Sequence, residues 1–150
     1  MTAFGRSQDF FLLIKNMAFQ LDIVTPEKTI FSDTVDDVYL PGSEGEMGIL
    51  TMHAALVAPL QPGELRYLKD GALEALAVGE GFVEVSGDKV SVLIDQAHAE
   101  AEIDEDKVAE AIRRAEDAMK GVNHDTDEMA ELQVLIAKSE AMMKLKRKGR

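Results

Sequence analysis

The sequence predicts an α+β fold in which an N-terminal antiparallel β-sandwich is followed by a C-terminal α-helical hairpin. From Phe19 to about Ile103, short apolar runs alternate with polar residues and are separated by glycine-containing turns, with no helical segment between them. After Ile103, apolar residues recur at every third or fourth position, which is the period of an amphipathic helix. We therefore expect a disordered extension over 1–16, the sandwich over 17–102 and the helical hairpin with a basic tail over 103–150.

Two β-hairpins are predicted by their turns. The run FVEVSGDKVSVLI, residues 82–94, has alternating residues on both sides of Gly87-Asp88, where glycine permits a positive φ. The run ELRYLKDGALEALAVGEG, residues 64–81, repeats this pattern around Asp70-Gly71. Gly79 and Gly81, near its end, are expected at β-bulges.

The segment LPGSEGEMGILTMHAAL, residues 40–56, has three possible interpretations: a phosphate loop, a metal site or a shaped turn. No Lys or Arg lies between Lys28 and Arg66, so a phosphate would meet only the repulsion of Glu44 and Glu46. Glu46 and His53 alone do not complete a metal-ligand set. The segment is therefore interpreted as a turn, in which Pro41-Gly42 ends one strand and Gly48 permits the start of the next.

Two helices are predicted after Ile103. Asp104-Glu105-Asp106 places negative charge at the first helix N-terminus, and Gly121 stops that helix. Thr126 is the expected N-cap of the second helix. The predicted apolar stripe of the first helix is Val108, Ala111, Ile112, Ala115, Ala118 and Met119, and that of the second is Met129, Leu132, Leu135, Ile136, Met142 and Met143. These stripes bury modest area, so the sequence leaves open whether the hairpin is fixed or detachable.

Charge and composition exclude several classes of function. The net charge is −12, but residues 138–150 carry six cations and one acid, which leaves −17 on the rest of the chain. Such an acidic body argues against nucleic-acid binding. The basic tail is compatible with RNA or anionic lipid, but it is short and has no interleaved aromatics, so it suits an acidic protein partner at least as well. The chain has no cysteine, which excludes disulfides and thiol catalysis. The three histidines are scattered and no nucleophile motif is present, so we expect no catalytic residue, no metal and no cofactor.

The chain also resembles a known family. The run LDIVTPEKTIFSDTVDDVYLPGSEGEMGILTMHAALVAPLQPGELR, followed by glycine-rich strands and IDEDKVAEAIRRAE, is similar to the ε subunit of F-type ATP synthase. The likeness extends from about Phe19 to Lys148. Its most specific part is the loop from Pro41 to His53 with the following Pro62-Gly63.

The resemblance implies a non-catalytic rotor protein at the foot of the central stalk of a proton- or sodium-translocating enzyme. Its sandwich would bind the γ subunit, with His53 near that contact, and Glu44 and Glu46 would face the c ring. The hairpin would either fold down on the sandwich or extend along γ into the α/β catalytic head, where it would hinder ATP hydrolysis. The implied contacts with the β subunit in the extended state are Lys144, Lys146, Arg147 and Lys148. The resemblance also implies a peripheral location at the cytoplasmic face of a bacterial plasma membrane, with membrane contact only through the complex.

Two departures from the family pattern affect the expected sites. The chain has Met52-His53-Ala54-Ala55 where the family often has Gly-His-Ala-Pro. Some relatives bind ATP on the folded hairpin through Ile/Leu-Asp-x-x-Arg-Ala, and the matching positions here are Ile103, Asp104, Lys107 and Val108, with Arg114 as a further match. Lysine lacks the planar fork of arginine, so we expect ATP binding to be weak or absent. The alternative function, from another class, is a free-standing adaptor made of a sandwich and a helical hairpin.

Overall fold

The computed structural model describes residues 18–50 and 54–149. The predicted extension over 1–16, together with Met17, and the predicted γ contact His53 lie outside these described residues. Within them the chain forms ten strands, two α-helices and one short 3₁₀ helix. Their bounds are β1 Phe19–Val24, β2 Thr29–Val35, β3 Asp37–Gly42, β4 Gly45–Ile49, β5 Leu56–Leu60, β6 Gly63–Lys69, β7 Ala72–Val78, β8 Gly81–Ser86, β9 Lys89–Ile94, β10 Ala97–Ala99, the 3₁₀ helix Glu100–Glu102, α1 Glu105–Met119 and α2 Asp127–Lys148.

The strands form a sandwich that nearly closes on itself. They pair in the order β10-β7-β6-β3-β5-β8-β9-β1-β2, and β4 pairs with β3 outside this path. Among the described strands every pair is antiparallel except β1 with β9, which is parallel. The predicted fold class is confirmed, and this parallel pair is an addition that local turn signals did not reveal.

The sandwich core comes from the alternate residues of both halves of the sheet. On β1, Leu21 and Ile23 are fully buried, and on β8 and β9 the same is true of Val83 and Val92. The intervening residues face outward, as the two-residue period of a strand requires. One contiguous apolar cluster therefore fills the space between the two halves.

The two predicted hairpin turns are confirmed, but the predicted bulges are wrong. Lys69 pairs with Ala72 around Asp70-Gly71, where both residues have positive φ, and Ser86 pairs with Lys89 around Gly87-Asp88. Gly81 instead begins β8 in unbroken register with Ile94, and a β-carbon there would collide with the Leu93 carbonyl oxygen. Gly79 lies between β7 and β8, and a β-carbon there would collide with the Asp95 carboxylate. Both glycines permit close packing of chain segments.

Both predicted helix starts are confirmed. The Asp104 carboxylate accepts hydrogen bonds from the backbone N–H groups of Asp106 and Lys107, at 3.1 and 3.2 Å. The Thr126 hydroxyl oxygen accepts one from the N–H of Met129 at 3.2 Å. Helix α1 ends at Met119, just before Gly121. Side chains therefore satisfy N–H groups that the first turn of each helix leaves unpaired.

The predicted apolar stripes are only partly correct. Ala118 is exposed, and Leu135 is 44% exposed. Leu145, which was not assigned to a stripe, is 5% exposed. Helix α2 packs against α1 and also against β6 and β7, so its buried surface is broader than one helical stripe.

Candidate functional site

The hairpin is attached to the sandwich through a small apolar cluster, which we call the docking cluster. Its buried members are Ala77 of β7, Ile103, Val108, Met143 and Leu145. The partly buried residues around it are Ala75, Ile112, Ala141 and Met142. The strands contribute only alanines to this contact, so the apolar area that β7 offers to α2 is small.

Ion pairs surround the docking cluster and hold α2 in place. Lys138 pairs with Asp95, which follows β9. The Lys148 Nζ lies 3.1 Å from an oxygen of Glu64 on β6. The Lys146 Nζ lies 3.5 Å from Glu100 Oε1 and 3.3 Å from the Glu100 carbonyl oxygen.

The basic residues of the predicted contact with β are thus largely occupied in this conformation. Lys146 and Lys148 pair as described above, and the Arg147 Nε lies 3.2 Å from Glu105 of α1. Lys144 is exposed and makes no ion pair within the described residues. The docked hairpin therefore leaves Lys144 available to a partner and uses the other three to hold itself together.

The strength of this attachment is modest. Each pair includes at least one side chain that is more than 40% exposed, and such pairs contribute about 0.2–1 kcal/mol each because water and salt screen them. Reversing a two-state equilibrium from 1:99 to 99:1 takes about 5.5 kcal/mol of differential binding. The three ion pairs together contribute less than this, and the apolar contact at the docking cluster adds to them.

The β-hairpin formed by β3 and β4 carries the two acidic residues predicted to face the c ring. Gly42 pairs with Gly45, so Ser43 and Glu44 form a two-residue turn with Glu44 exposed at its tip. The expectation that Gly48 starts the strand is wrong, because β4 begins at Gly45. Gly48 lies opposite Tyr39, and a β-carbon there would lie 3.2 Å from the Tyr39 ring.

Glu46 belongs to a chain of ion pairs. Its Oε2 accepts a hydrogen bond of 2.8 Å from Arg66 of β6, and the same guanidinium lies 3.2 Å from Glu64 Oε1. Arg66 also lies over the Tyr39 ring, 5.3 Å from its centroid. Within the described residues, no group of three or more His, Asp or Glu side chains is placed to hold a metal ion.

Three residues of the possible ATP site lie at the start of α1, and the fourth lies about two turns further along that helix. Ile103 is buried in the docking cluster, and Asp104 is engaged as the N-cap of α1. Lys107 is exposed, and the Arg114 Nε lies 3.2 Å from Glu110. Hydrogen bonds from Arg113, and secondarily from Arg114, lower the pKa of Glu110. A groove of about 450 Å³ runs between the helices, but none of these four residues lines it; its lining is Ala109, Ile112, Glu140, Met143, Lys144 and Arg147.

An apolar patch lies on the sandwich away from the hairpin. Val57, Phe82 and Leu93 are 67%, 44% and 41% exposed. Phe82 pairs with Pro59 on one side and with Leu93 on the other, so these side chains form a row across β5, β8 and β9. We call Val57, Pro59, Phe82 and Leu93 the outer patch.

Glu64, Arg66 and the outer patch were not predicted as functional residues. Glu64 and Arg66 are two apart on a strand and therefore share a face, which is a signal that the sequence does contain. The outer patch needs the pairing of three strands, and no local signal contains it.

Comparison with known proteins decides the family. The family model for the β-sandwich domain of the ATP synthase delta/epsilon chain matches residues 18–100, more than half of the chain. The chain is 39% identical over 123 residues to the ATP synthase epsilon chain of Herpetosiphon aurantiacus, covering 82% of this chain and 90% of that one. It is 44% identical over 103 residues to that of Dichelobacter nodosus, covering 68% and 72%. The chain belongs to the ATP synthase epsilon chain family.

Two solved structures have the same fold as this epsilon-family chain. One is a chain of the Euglena gracilis mitochondrial ATP synthase, in a structure of OSCP, F1 and the c-ring, with a TM-score of 0.74, 23% identity and coverage of 85% of this chain and 81% of that chain. The other is from the central stalk and c-ring of the Tetrahymena thermophila mitochondrial ATP synthase, with a TM-score of 0.52, 18% identity and coverage of 87% and 94%. At 23% and 18% identity, these two matches show a shared fold and nothing further.

Family membership confirms the resemblance found in the sequence. As an epsilon-family member the chain is a non-catalytic subunit of an ATP synthase, and it is associated with the membrane through that complex. In the described part of the chain, neither helix has the length and apolar character needed to cross a bilayer.

Proposed function

We propose that the chain is a central-stalk rotor subunit of an F-type ATP synthase, which links γ to the c ring and regulates ATP hydrolysis through its hairpin. The observation that carries the regulatory part is the attachment of α2 by a small docking cluster and a few half-exposed ion pairs. The bacterial sources of the relatives support a location at the cytoplasmic face of a bacterial plasma membrane, with membrane contact only through the complex.

The outer patch is the proposed γ-binding surface. A contiguous group of exposed apolar side chains commonly marks a protein interface. The patch lies on β5, β8 and β9, whereas the hairpin contacts β6 and β7, so the two contacts use different strands. His53, which lies outside the described residues, is proposed as a γ contact on the family resemblance alone.

Glu44 and Glu46 are the proposed c-ring contacts. They lie on one β-hairpin, with Glu44 exposed in its two-residue turn and Glu46 on β4. Carboxylates in this position suit polar or cationic loops on a partner. Glu46 already shares Arg66 with Glu64, so a c-ring cation would compete with that pair.

The hairpin is the proposed brake on hydrolysis. In the extended state, Lys144, Lys146, Arg147 and Lys148 would meet acidic segments of the β subunit in the α/β head. In the docked state three of these cations are paired within the chain. The same charges would then stabilise either state, and the balance between the states would depend on the partner.

ATP is proposed to bind weakly or not at all to the docked hairpin. Asp104 is engaged as a helix cap, and Arg114 is paired with Glu110. Lys107 supplies a point charge where relatives have a planar guanidinium. Calorimetric titration of ATP into the full chain is expected to show no binding at micromolar concentration, and a micromolar affinity would contradict this.

The test is ATP hydrolysis by the matching catalytic head with γ, before and after addition of the full chain or of a chain that ends at Glu102. The full chain is expected to bind and inhibit, and the shortened chain to bind without inhibiting. If neither chain binds, the rotor assignment is wrong. If both inhibit equally, the hairpin is not the brake.

A further inference from the structure

One carboxylate oxygen connects the β-hairpin that carries Glu46 to the end of α2. Glu64 Oε1 lies 3.2 Å from Arg66 and 3.1 Å from the Lys148 Nζ. The other side of the Arg66 guanidinium holds Glu46 at 2.8 Å. The order of contacts is therefore Glu46, Arg66, Glu64 and Lys148, with positive and negative charges in alternation.

The connection lies along a groove between the sandwich and α2. This groove has a volume of about 480 Å³ and is lined by residues of both elements, including all four members of the ion-pair chain. Glu140 and Lys144 also line it, and neither makes an ion pair within the described residues. Glu64 is the most enclosed of the four side chains, at 19% exposed, so its two cations act on it with less screening than open surface charges would.

Neutralising Glu46 must change the force on Lys148. With Glu46 charged, Arg66 is shared between two carboxylates. Without that charge, Arg66 is balanced only by Glu64, which is the carboxylate that Lys148 also uses. Glu46 then no longer offsets the repulsion between Arg66 and Lys148, so the docked hairpin loses stability.

We propose that Arg66 is a positioning residue that couples Glu46 on β4 to the docking of the helical hairpin. A cationic protein partner that takes Glu46 away from Arg66 weakens the Lys148 contact and favours release of α2. This inference rests on the proposed function, because it assigns the partner to the rotor and the hairpin to regulation. The coupling itself belongs to the isolated chain.

The chain offers a matched control for Glu46. Glu44 lies in the turn of the same β-hairpin, carries the same charge and makes no ion pair within the described residues. If Glu46 acted only through the net charge of this β-hairpin, Glu44→Gln and Glu46→Gln would have the same effect. If it acts through Arg66, only Glu46→Gln matters.

The experiment measures hairpin release in the isolated full chain by thiol labelling. The chain has no native cysteine, so Ala77→Cys places one thiol beneath the hairpin, where Ala77 is 1% exposed. Ala75→Cys, in the same cluster, is a second reporter should the first fail to fold. The labelling rate is compared for Glu46→Gln and Glu44→Gln, each with Arg66 retained and with Arg66→Gln.

Glu46→Gln is expected to raise the labelling rate about two- to fivefold when Arg66 is present, which is the effect of one partly exposed ion pair. It is expected to leave the rate unchanged with Arg66→Gln, and Glu44→Gln is expected to have no effect in either background. An equal effect of Glu46→Gln in both backgrounds, or no effect in either, would overturn the coupling. Because this experiment uses the isolated chain, such a result would not bear on the rotor assignment. That assignment is tested separately, with γ and the catalytic head.

Discussion

At the residue scale, Asp22 is an acidic side chain whose ionised form stabilises the fold. Its carboxylate accepts hydrogen bonds from the Gln20 side chain at 2.8 Å and from the Ser32 hydroxyl at 2.7 Å, and Lys89 lies 3.3 Å away. The Gln20 hydrogen bond is the largest cause of the lowered pKa of Asp22, followed by that from Ser32. These contacts join β1 to both of its neighbours, β2 and β9.

Asp22→Asn is expected to weaken the pH dependence of the free energy of unfolding at acidic pH. A pKa lowered on folding contributes stability above the pKa of the unfolded state, near 3.8, which is lost as pH falls through the folded pKa. Removing the charge therefore lowers stability at neutral pH and flattens its decline below about pH 4. Urea unfolding between pH 2 and pH 7, at roughly one-unit intervals, measures this. The control is Glu84→Gln, which changes an exposed residue of β8. An identical pH profile of stability for both variants would contradict the prediction.

Residues whose roles are local were predictable from the sequence. Asp104 and Thr126 were identified as helix starts because a cap acts on N–H groups two or three residues away. Arg66 and Leu145 were missed because their roles depend on partners from distant elements. The direct contacts proposed for Glu44, Glu46 and His53 stay predictions, because the partners that would define them belong to other chains.

At the element scale, α2 is buried on more than one side. Met129 and Met143 are buried, and Leu145 is buried against the sandwich, whereas Leu135 faces water. A single apolar stripe predicts which residues a helix hides from one neighbour, but α2 has two neighbours. The same limit applies to the sheet. Turns predicted the hairpins, while the parallel pairing of β1 with β9 joins strands far apart in sequence.

Leu145→Ala is expected to release the hairpin, and Leu135→Ala is expected to have little effect. Loss of a buried leucine side chain costs at least about 2 kcal/mol, which corresponds to about a thirtyfold rise in labelling of a thiol at Ala77. Leu135 is 44% exposed, so Leu135→Ala removes less buried apolar surface and costs less stability. Equal labelling rates for the two variants would show that Leu145 does not hold the hairpin.

Lys144 and Lys148 are expected to have separable roles within α2. Lys144 makes no ion pair within the described residues, so Lys144→Ala is expected to relieve inhibition of hydrolysis without changing thiol labelling. Lys148 pairs with Glu64, so Lys148→Ala is expected to raise labelling about two- to fivefold. Unchanged inhibition by Lys144→Ala would argue against a charge contact with β, provided that the variant still binds γ.

At the scale of the whole molecule, the outer patch and the docking cluster use different strands of one sandwich. The patch lies across β5, β8 and β9, and the hairpin rests on β6 and β7. A partner on the patch therefore need not displace the hairpin. The sandwich can serve as the anchor while α1 and α2 move.

The family could be recognised from sequence because one long motif carries it, from Leu21 to Arg66. The docked conformation of the hairpin could not, because it depends on contacts at the docking cluster among residues that are far apart in the chain.

The central claim is that the hairpin must leave the sandwich in order to inhibit. Lys138 and Asp95 touch across this junction, and the chain has no native cysteine. Cysteines at these two positions, joined by a short bifunctional thiol reagent, would hold the hairpin docked. ATP hydrolysis is then measured with the catalytic head and γ, for the joined chain and for the same chain left unjoined. We predict that both bind, and that only the unjoined chain inhibits; equal inhibition by the joined chain would contradict the account.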